Sequence, residues 1–301
     1  MITKYLNPKN DTAFKRIFGT EKNSDILISM LNAVLKNQLH KPIKQIKFLS
    51  PVQEPEVAGS KQSIVDVLCE DKDGCKYIIE MQISHVEGFE ARAQYYAAKA
   101  FINQSKKGGQ YYDLKEVIFL AFCDFNIFPK KKSYKSEHVI LDKETYECNL
   151  DKFSFTFIDL VKFDKQQAKS VAELTLEEKF YYFLCHAAEI GEKDLALLVK
   201  DKTIKKAFTQ LDRFGWSQEE LARYEAAEKR DKDYRSTLIF QREKGLKRGI
   251  KLGEERGIKI GEQKERLKII TQLLASGMQK PQIAKLLKMS LLELDNILLH
   301  Q

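Results

Sequence analysis

Ser63-Ile-Val-Asp66-Val-Leu-Cys69, then Glu70-Asp-Lys-Asp-Gly74, then Cys75-Lys-Tyr-Ile-Ile-Glu80-Met-Gln82-Ile83: the reading of this stretch decides the fold. Its outer segments alternate apolar residues with others at period two, and the middle is a turn signal, so it reads as a β-hairpin. Asp66 sits among Ile, Val and Leu, and Glu80 among Tyr, Ile and Met. A carboxylate in an apolar strand is costly to bury unless it is paired or binds a cation. Two of them close together suggest a metal site.

Parity tests that idea. Residues directly opposite in an antiparallel hairpin share a face. If Lys72-Asp73-Gly74 forms a three-residue loop, Gly74 takes the left-handed position such loops need. Asp71 then opposes Cys75, Asp66 opposes Glu80 and Ile64 opposes Gln82. Opposed side chains start roughly 5 Å apart at Cβ, a spacing that suits two carboxylates sharing one Mg²⁺ through oxygen ligands. A two-residue Asp73-Gly74 loop would shift the pairing by one and turn Glu80 to the other face. An ordinary amphipathic hairpin, its polar residues facing water, is the competing reading of the same residues.

Asp followed by Glu-X-Gln on the next strand resembles the PD-(D/E)XK nuclease signature, with Gln in the last place instead of Lys. The flanks extend the likeness. Asn10-Asp11-Thr-Ala-Phe14-Lys15-Arg16-Ile-Phe18-Gly19 resembles the opening motif of the Rpn family of recombination-promoting nucleases and putative transposases. Lys61 to Gln82 resembles that family's hairpin, and Arg92-Ala-Gln-Tyr95-Tyr96-Ala-Ala-Lys99, Gln104, Gly109 and Tyr111 to Val117 resemble its next helix and strand. The resemblance implies an α/β restriction-endonuclease-like core, a mixed central sheet flanked by helices, with a helical C-terminal region. It also implies a divalent-metal-dependent endonuclease that cuts double-stranded DNA with little sequence preference, in recombination or defence. A catalytically weak or inactive nucleic-acid-binding or assembly protein on the same fold is the alternative.

On this reading Asp66, Glu80 and the Met81 backbone carbonyl hold Mg²⁺ (or Mn²⁺ or Ca²⁺), and Gln82 orients water without carrying charge. Arg92, Tyr95, Tyr96 and Lys99 stand at i, i+3, i+4 and i+7, one face of a helix that could meet the phosphate; a packed Tyr stripe with exposed charges fits the same spacing. Lys15 and Lys61 are candidate phosphate contacts. Asp11 is either an accessory third carboxylate or, preferably, the N-cap of a helix over 12–18. His85 reads as structural.

The 301 residues are 43% hydrophobic and 31% charged, as in a globular chain with a highly charged surface. A net charge of +8 and a pI near 9.0 favour polyanionic partners only modestly. No run of about 18 apolar residues predicts a membrane span. The first residues lack a hydrophobic signal core, which makes the cytoplasm the expected location. Five cysteines at irregular gaps show no zinc spacing.

Four segments follow along the chain. Residues 1–165 alternate helix and strand patterns: helices over 11–18 and 24–35 (the second capped by Ser24), a short strand over 43–48, the hairpin, a helix over 85–101, a buried strand over 116–122, and strands over 137–141 and 153–160. Residues 166–240 read as a helical subdomain, with a Thr175-Leu-Glu-Glu178 capping box and a helix starting at Ser217. Residues 241–265 carry Gly245, Gly249, Gly253, Gly257 and Gly261 at every fourth position, with 8 basic and 4 acidic residues from Gln241 to Lys264. The segment reads as a basic helix, and a solvated helical spacer, a self-association helix and a DNA-contacting basic arm all fit this repeat. Residues 266–301 form a tail of short helices, with Gly277 ending one, Pro281 starting another, and Ser290 and Glu293 capping the last. Its would-be reading helix is too apolar and acidic to present base-reading side chains, so packing or homo-oligomerisation through 241–301 is the expectation.

Overall fold

The computed structural model describes residues 3–53, 63–105 and 109–299. In chain order the elements are α1 (Asp11–Phe18), α2 (Ser24–Val34), β1 (Ile46–Phe48), β2 (Val52–Gln53), β3 (Ser63–Ile64), β4 (Val67–Asp71), β5 (Lys76–Gln82), α3 (Phe89–Ile102), β6 (Val117–Cys123), β7 (Lys135–Ile140) and β8 (Leu150–Asp159). Helices follow: α4 (Leu160–Gln166), α5 (Leu176–His186), α6 (Glu192–Leu198), α7 (Lys202–Leu211), α8 (Gln218–Ala275), α9 (Lys280–Leu286) and α10 (Leu291–Leu299). Contacts divide the chain into two compact units, at Lys232/Asp233.

The first unit is built on a six-stranded mixed sheet of order β1-β4-β5-β6-β8-β7. β6 reads Val-Ile-Phe-Leu-Ala-Phe-Cys and is buried along its whole length. It pairs in parallel with β5 on one side and β8 on the other, the position for which a near-continuous apolar strand is suited. Its alternate residues feed two separate cores. Ile118, Leu120 and Phe122 join Tyr77, Ile79 and Met81 against α1, α2, α5 and α7. Phe119, Ala121 and Cys123 join Ile78 against α3. The result is the expected mixed sheet flanked by helices, with an apolar core on each face. One apolar cluster contains Phe122 as well as Phe180, Tyr181, Phe208 and Tyr224, so the helices between residues 166 and 224 share the core of the sheet.

The hairpin keeps the expected register. Val67 opposes Ile79, Leu68 opposes Ile78, Cys69 opposes Tyr77 and Glu70 opposes Lys76. Asp71 N–H donates to the Cys75 carbonyl (3.0 Å), closing the Lys72-Asp73-Gly74 loop. Gly74 has φ +84°, and a Cβ there would lie 3.2 Å from Lys115 Cγ. Gly74→Ala is therefore expected to cost about 1–2 kcal/mol, read as a lower midpoint in urea denaturation with an unchanged m-value.

The register does not continue to Ile64. The expected single strand 63–69 is broken: Ile64 pairs with Val52 in a separate two-stranded sheet, not with Gln82. Smaller corrections fall at helix starts. Asn10 caps α1, its side chain accepting from Thr12 N–H (3.0 Å), and Asp11 is the first helical residue. Asn23 precedes α2 without a side-chain capping bond, its amide donating instead to the Arg16 carbonyl (2.8 Å), and Ser24 is inside the helix. α3 starts at Phe89, which leaves His85 in the preceding loop. The Thr175–Glu178 capping box forms as read.

α8 is a single helix of 58 residues that runs through both 240/241 and 265/266. The second unit takes in most of it. There Ile270 packs with Ile283, Ala284 and Leu294 of α9 and α10. Gly277, at φ +91°, ends α8, with Met278 N–H donating to the Leu273 carbonyl (3.2 Å). Ser290 and Glu293 cap α10 reciprocally.

Candidate functional site

Asp66 occupies the bend between β3 and β4. Freed from the ladder there, its backbone N–H donates to Glu80 Oε1 (3.2 Å). Its side chain reaches across β5, where Oδ2 accepts from Met81 N–H (2.9 Å). Glu80 is held from the other side as well, since Gln82 Nε2 donates to Glu80 Oε2 (3.1 Å). The two carboxyl groups thus meet at the C-terminal end of β5, though by cross-bonding from a bend and not by the flat cross-strand pairing expected. Met81 turns its N–H towards Asp66, and strand geometry puts its carbonyl on the same edge.

Both carboxyls are held back from ionising. Glu80 is 3% exposed, and its pKa is raised first by burial and then by the Asp66 charge, against smaller opposing effects of Arg92, the Asp66 N–H and the Gln82 amide. The Asp66 pKa is also raised chiefly by burial, with the Met81 N–H and Lys15 pulling it down and Asp11 pushing it up. An acidic pair of this kind, unfavourable to charge as it stands, fits a divalent cation well.

Cationic groups approach from the helices over both sheet faces. Lys15 of α1 places Nζ 3.5 Å from Asp66 Oδ1 and 2.5 Å from Asp11 Oδ1. Its own pKa is raised: burial works against the charge, and the two aspartates more than offset it. α1 is fixed by Phe14 against the sheet and by the start of α8: Arg16 pairs with Glu220 and lies over the Trp216 ring, and Asn10 Nδ2 donates to the Tyr224 carbonyl (3.1 Å). From α3, Arg92 acts on the Glu80 charge while its guanidinium stacks on Phe89 and Tyr96, 5.0 and 5.9 Å from the ring centroids. Arg92 Nε is buried with no hydrogen-bond partner among the described residues.

The residues of the helical face expected at 92, 95, 96 and 99 differ in exposure. Tyr96 is half-buried and feels both carboxylates, Tyr95 is 47% exposed, and Lys99 is buried. Asp11 bonds to Lys15 and does not join a third-carboxylate cluster; among the described residues no three His, Cys, Asp or Glu side chains converge as a metal-binding group. Lys61 lies outside the described residues. His85 makes an edge contact with Phe125, ring centroids 5.2 Å apart. Two participants escaped the sequence reading. Lys9 pairs with Asp124 (2.9 Å), and the Asp124 N–H caps the Gln82 carbonyl (2.8 Å) beside the acidic pair. Only the position of Lys9 beside the Asn10 cap could have drawn attention to them.

The family model described as PD-(D/E)XK nuclease family transposase matches residues 8–239, a span that contains α1, the hairpin, α3 and the first part of α8. Comparison with curated proteins and with solved structures gives no match.

Proposed function

The chain belongs to the PD-(D/E)XK nuclease family transposases, and on that premise we propose that it is a divalent-metal-dependent endonuclease acting on double-stranded DNA. The observation that carries this reading is the interlocked pair Asp66 and Glu80 near the end of β5, Glu80 accepting from the Asp66 N–H and Asp66 from the Met81 N–H. Asp66, Glu80 and the Met81 carbonyl would hold Mg²⁺ or Mn²⁺, with Ca²⁺ as a binding substitute. Mg²⁺ ordinarily takes one or two carboxylates and leaves its other positions to water and phosphate, so the two carboxylates brought together among the described residues suit it. When bound, such an ion supplies an activated water and neutralises charge on the phosphate.

The protein's own groups do the remaining work. Lys15 and Arg92 flank the acidic pair from opposite faces of the sheet, and either can take a phosphate oxygen; the unpartnered Arg92 Nε is a donor suited to one. Gln82 commits one of its two amide N–H donors to Glu80, which leaves the other and the amide oxygen to orient a water. Lys15 brings to the site the positive charge that Gln82 lacks. No helix among the described residues is long and apolar enough to cross a membrane. The five free thiols fit a reducing cytoplasm, with recombination or defence as the setting.

Supercoiled plasmid incubated with the full chain is expected to be nicked and linearised in Mg²⁺ or Mn²⁺ and left intact in EDTA. The uncharged Gln82 favours a second reading, a binding or assembly protein on the same fold. A gel shift of duplex DNA with no cutting in any divalent ion would replace the first reading with the second.

A further inference from the structure

Positions 233–266 of α8 are all exposed. Within that stretch Ile239, Phe240, Leu246, Ile250 and Ile260 are between 52% and 63% exposed. The five glycines meet nothing within 4 Å of an added Cβ. Each glycine costs a helix about 1 kcal/mol, and helices in proteins draw most of their stability from a packed face. A helix that is rich in glycine, yet carries large apolar side chains in water, lacks the surface that should cover it.

Steps of four and three residues from Ile239 trace one seam: Ile239, Glu243, Leu246, Ile250, Gly253, Gly257, Ile260, Lys264, Leu267. This is a heptad seam with bulk in its first half and two gaps in its second. We propose that the seam packs against the same seam of a second copy of this chain, antiparallel, about a two-fold axis level with Lys251 and Leu252.

That register matches size to space. Ile250 meets Gly253 of the second copy, and Leu246 meets its Gly257. Ile239 falls opposite Lys264, at the cavity of about 430 Å³ lined by Ile260, Gln263, Lys264, Leu267, Asn296 and Ile297. On one flank Phe240 lies over Gly261, and Lys247 faces Glu254. A parallel, in-register pair would set Gly253 on Gly253 and Gly257 on Gly257, leaving adjacent voids, and would bring Arg242 against Lys247. Gly245 lies off the seam and has no part in the match. This inference stands apart from the nuclease reading, and neither depends on the other.

The test uses the full chain. Light scattering should give the mass of a dimer for the natural sequence and of a monomer for Gly257→Leu, with helical circular dichroism undiminished. Leu is the better helix former and adds apolar surface, so a merely sticky helix would associate more. For direction, Cys148→Ser removes the exposed thiol. In that background, Glu243→Cys mixed with Ile260→Cys should form a disulfide-linked dimer on oxidation. Ile260→Cys alone should not, because its two copies would stand about 25 Å apart along the axis. A monomeric natural chain, a Gly257→Leu variant as dimeric as the natural one, or self-linking of Ile260→Cys would each overturn the proposal. If the chain is monomeric and duplex affinity falls when Lys247 and Arg248 are replaced by Gln, the helix belongs to DNA instead.

Discussion

Glu80→Gln is expected to abolish plasmid nicking, by on the order of 10³-fold or more, while raising the melting temperature in EDTA. The two effects have one origin. The Glu80 side chain is 3% exposed, and both burial and the neighbouring Asp66 oppose its charge. Gln keeps the length of the side chain and an oxygen to accept from Asp66 N–H, and it removes the charge whose burial is unfavourable. A gain of about 1–2 kcal/mol would raise the melting temperature by a few degrees. The same replacement removes a carboxylate that the proposed metal needs, so the divalent-induced rise in melting temperature should shrink together with the nicking. Asp66→Asn should lose activity equally but gain less stability, because Lys15 would lose a partner. Opposite movement of activity and stability is the mark of a functional site held against its folding preference. Undiminished nicking by both Asp66→Ala and Glu80→Ala would remove the site from this place.

The sequence carried the hairpin well because register there is a matter of parity. One left-handed Gly74 fixed the loop, and the loop fixed which residues of β4 face which of β5. It could not show where the strand before Asp66 stops. Ser63-Ile-Val-Asp66-Val reads as one continuous strand, and the break depends on Val52, a partner chosen by tertiary pairing. The break matters to the site, since it frees the Asp66 N–H to bond Glu80. α1 was legible from its apolar period, yet nothing in that period says which end of which strand it covers, so the Lys15–Asp66 contact was not foreseeable. Asn10 and Asp11 are adjacent residues of nearly equal capping strength, and only the backbone decides between them. The glycine repeat of 241–265 reads as a helix, but nothing in its spacing shows that it continues without a break from the helix before it and into the tail, as α8 does.

Without a divalent ion, the stability of the first unit is expected to fall as pH rises from about 4 through neutrality, and more steeply than in Glu80→Gln. The sign follows from where the protons sit. Both Asp66 and Glu80 titrate above their ordinary range in the folded chain. At low pH both states hold these protons and no penalty arises. As pH passes the ordinary carboxylate range, near 4, the unfolded chain releases them first, so folding must take up protons and loses ground with each further step in pH. The loss is complete only above the raised folded values, and its full size is on the order of a few kcal/mol at about 1.4 kcal/mol per unit. A divalent ion reverses the trend at the upper end. It needs both carboxylates ionised, so its binding releases protons, and the stabilisation it gives should be small near pH 5 and largest near pH 8. Melting curves for the natural chain and Glu80→Gln, across pH with and without Mg²⁺, separate these contributions because the other ionisable groups cancel in the difference. A Mg²⁺-induced shift that is flat with pH, or that survives in the Asp66→Asn, Glu80→Gln double variant, would place the ion elsewhere on the protein.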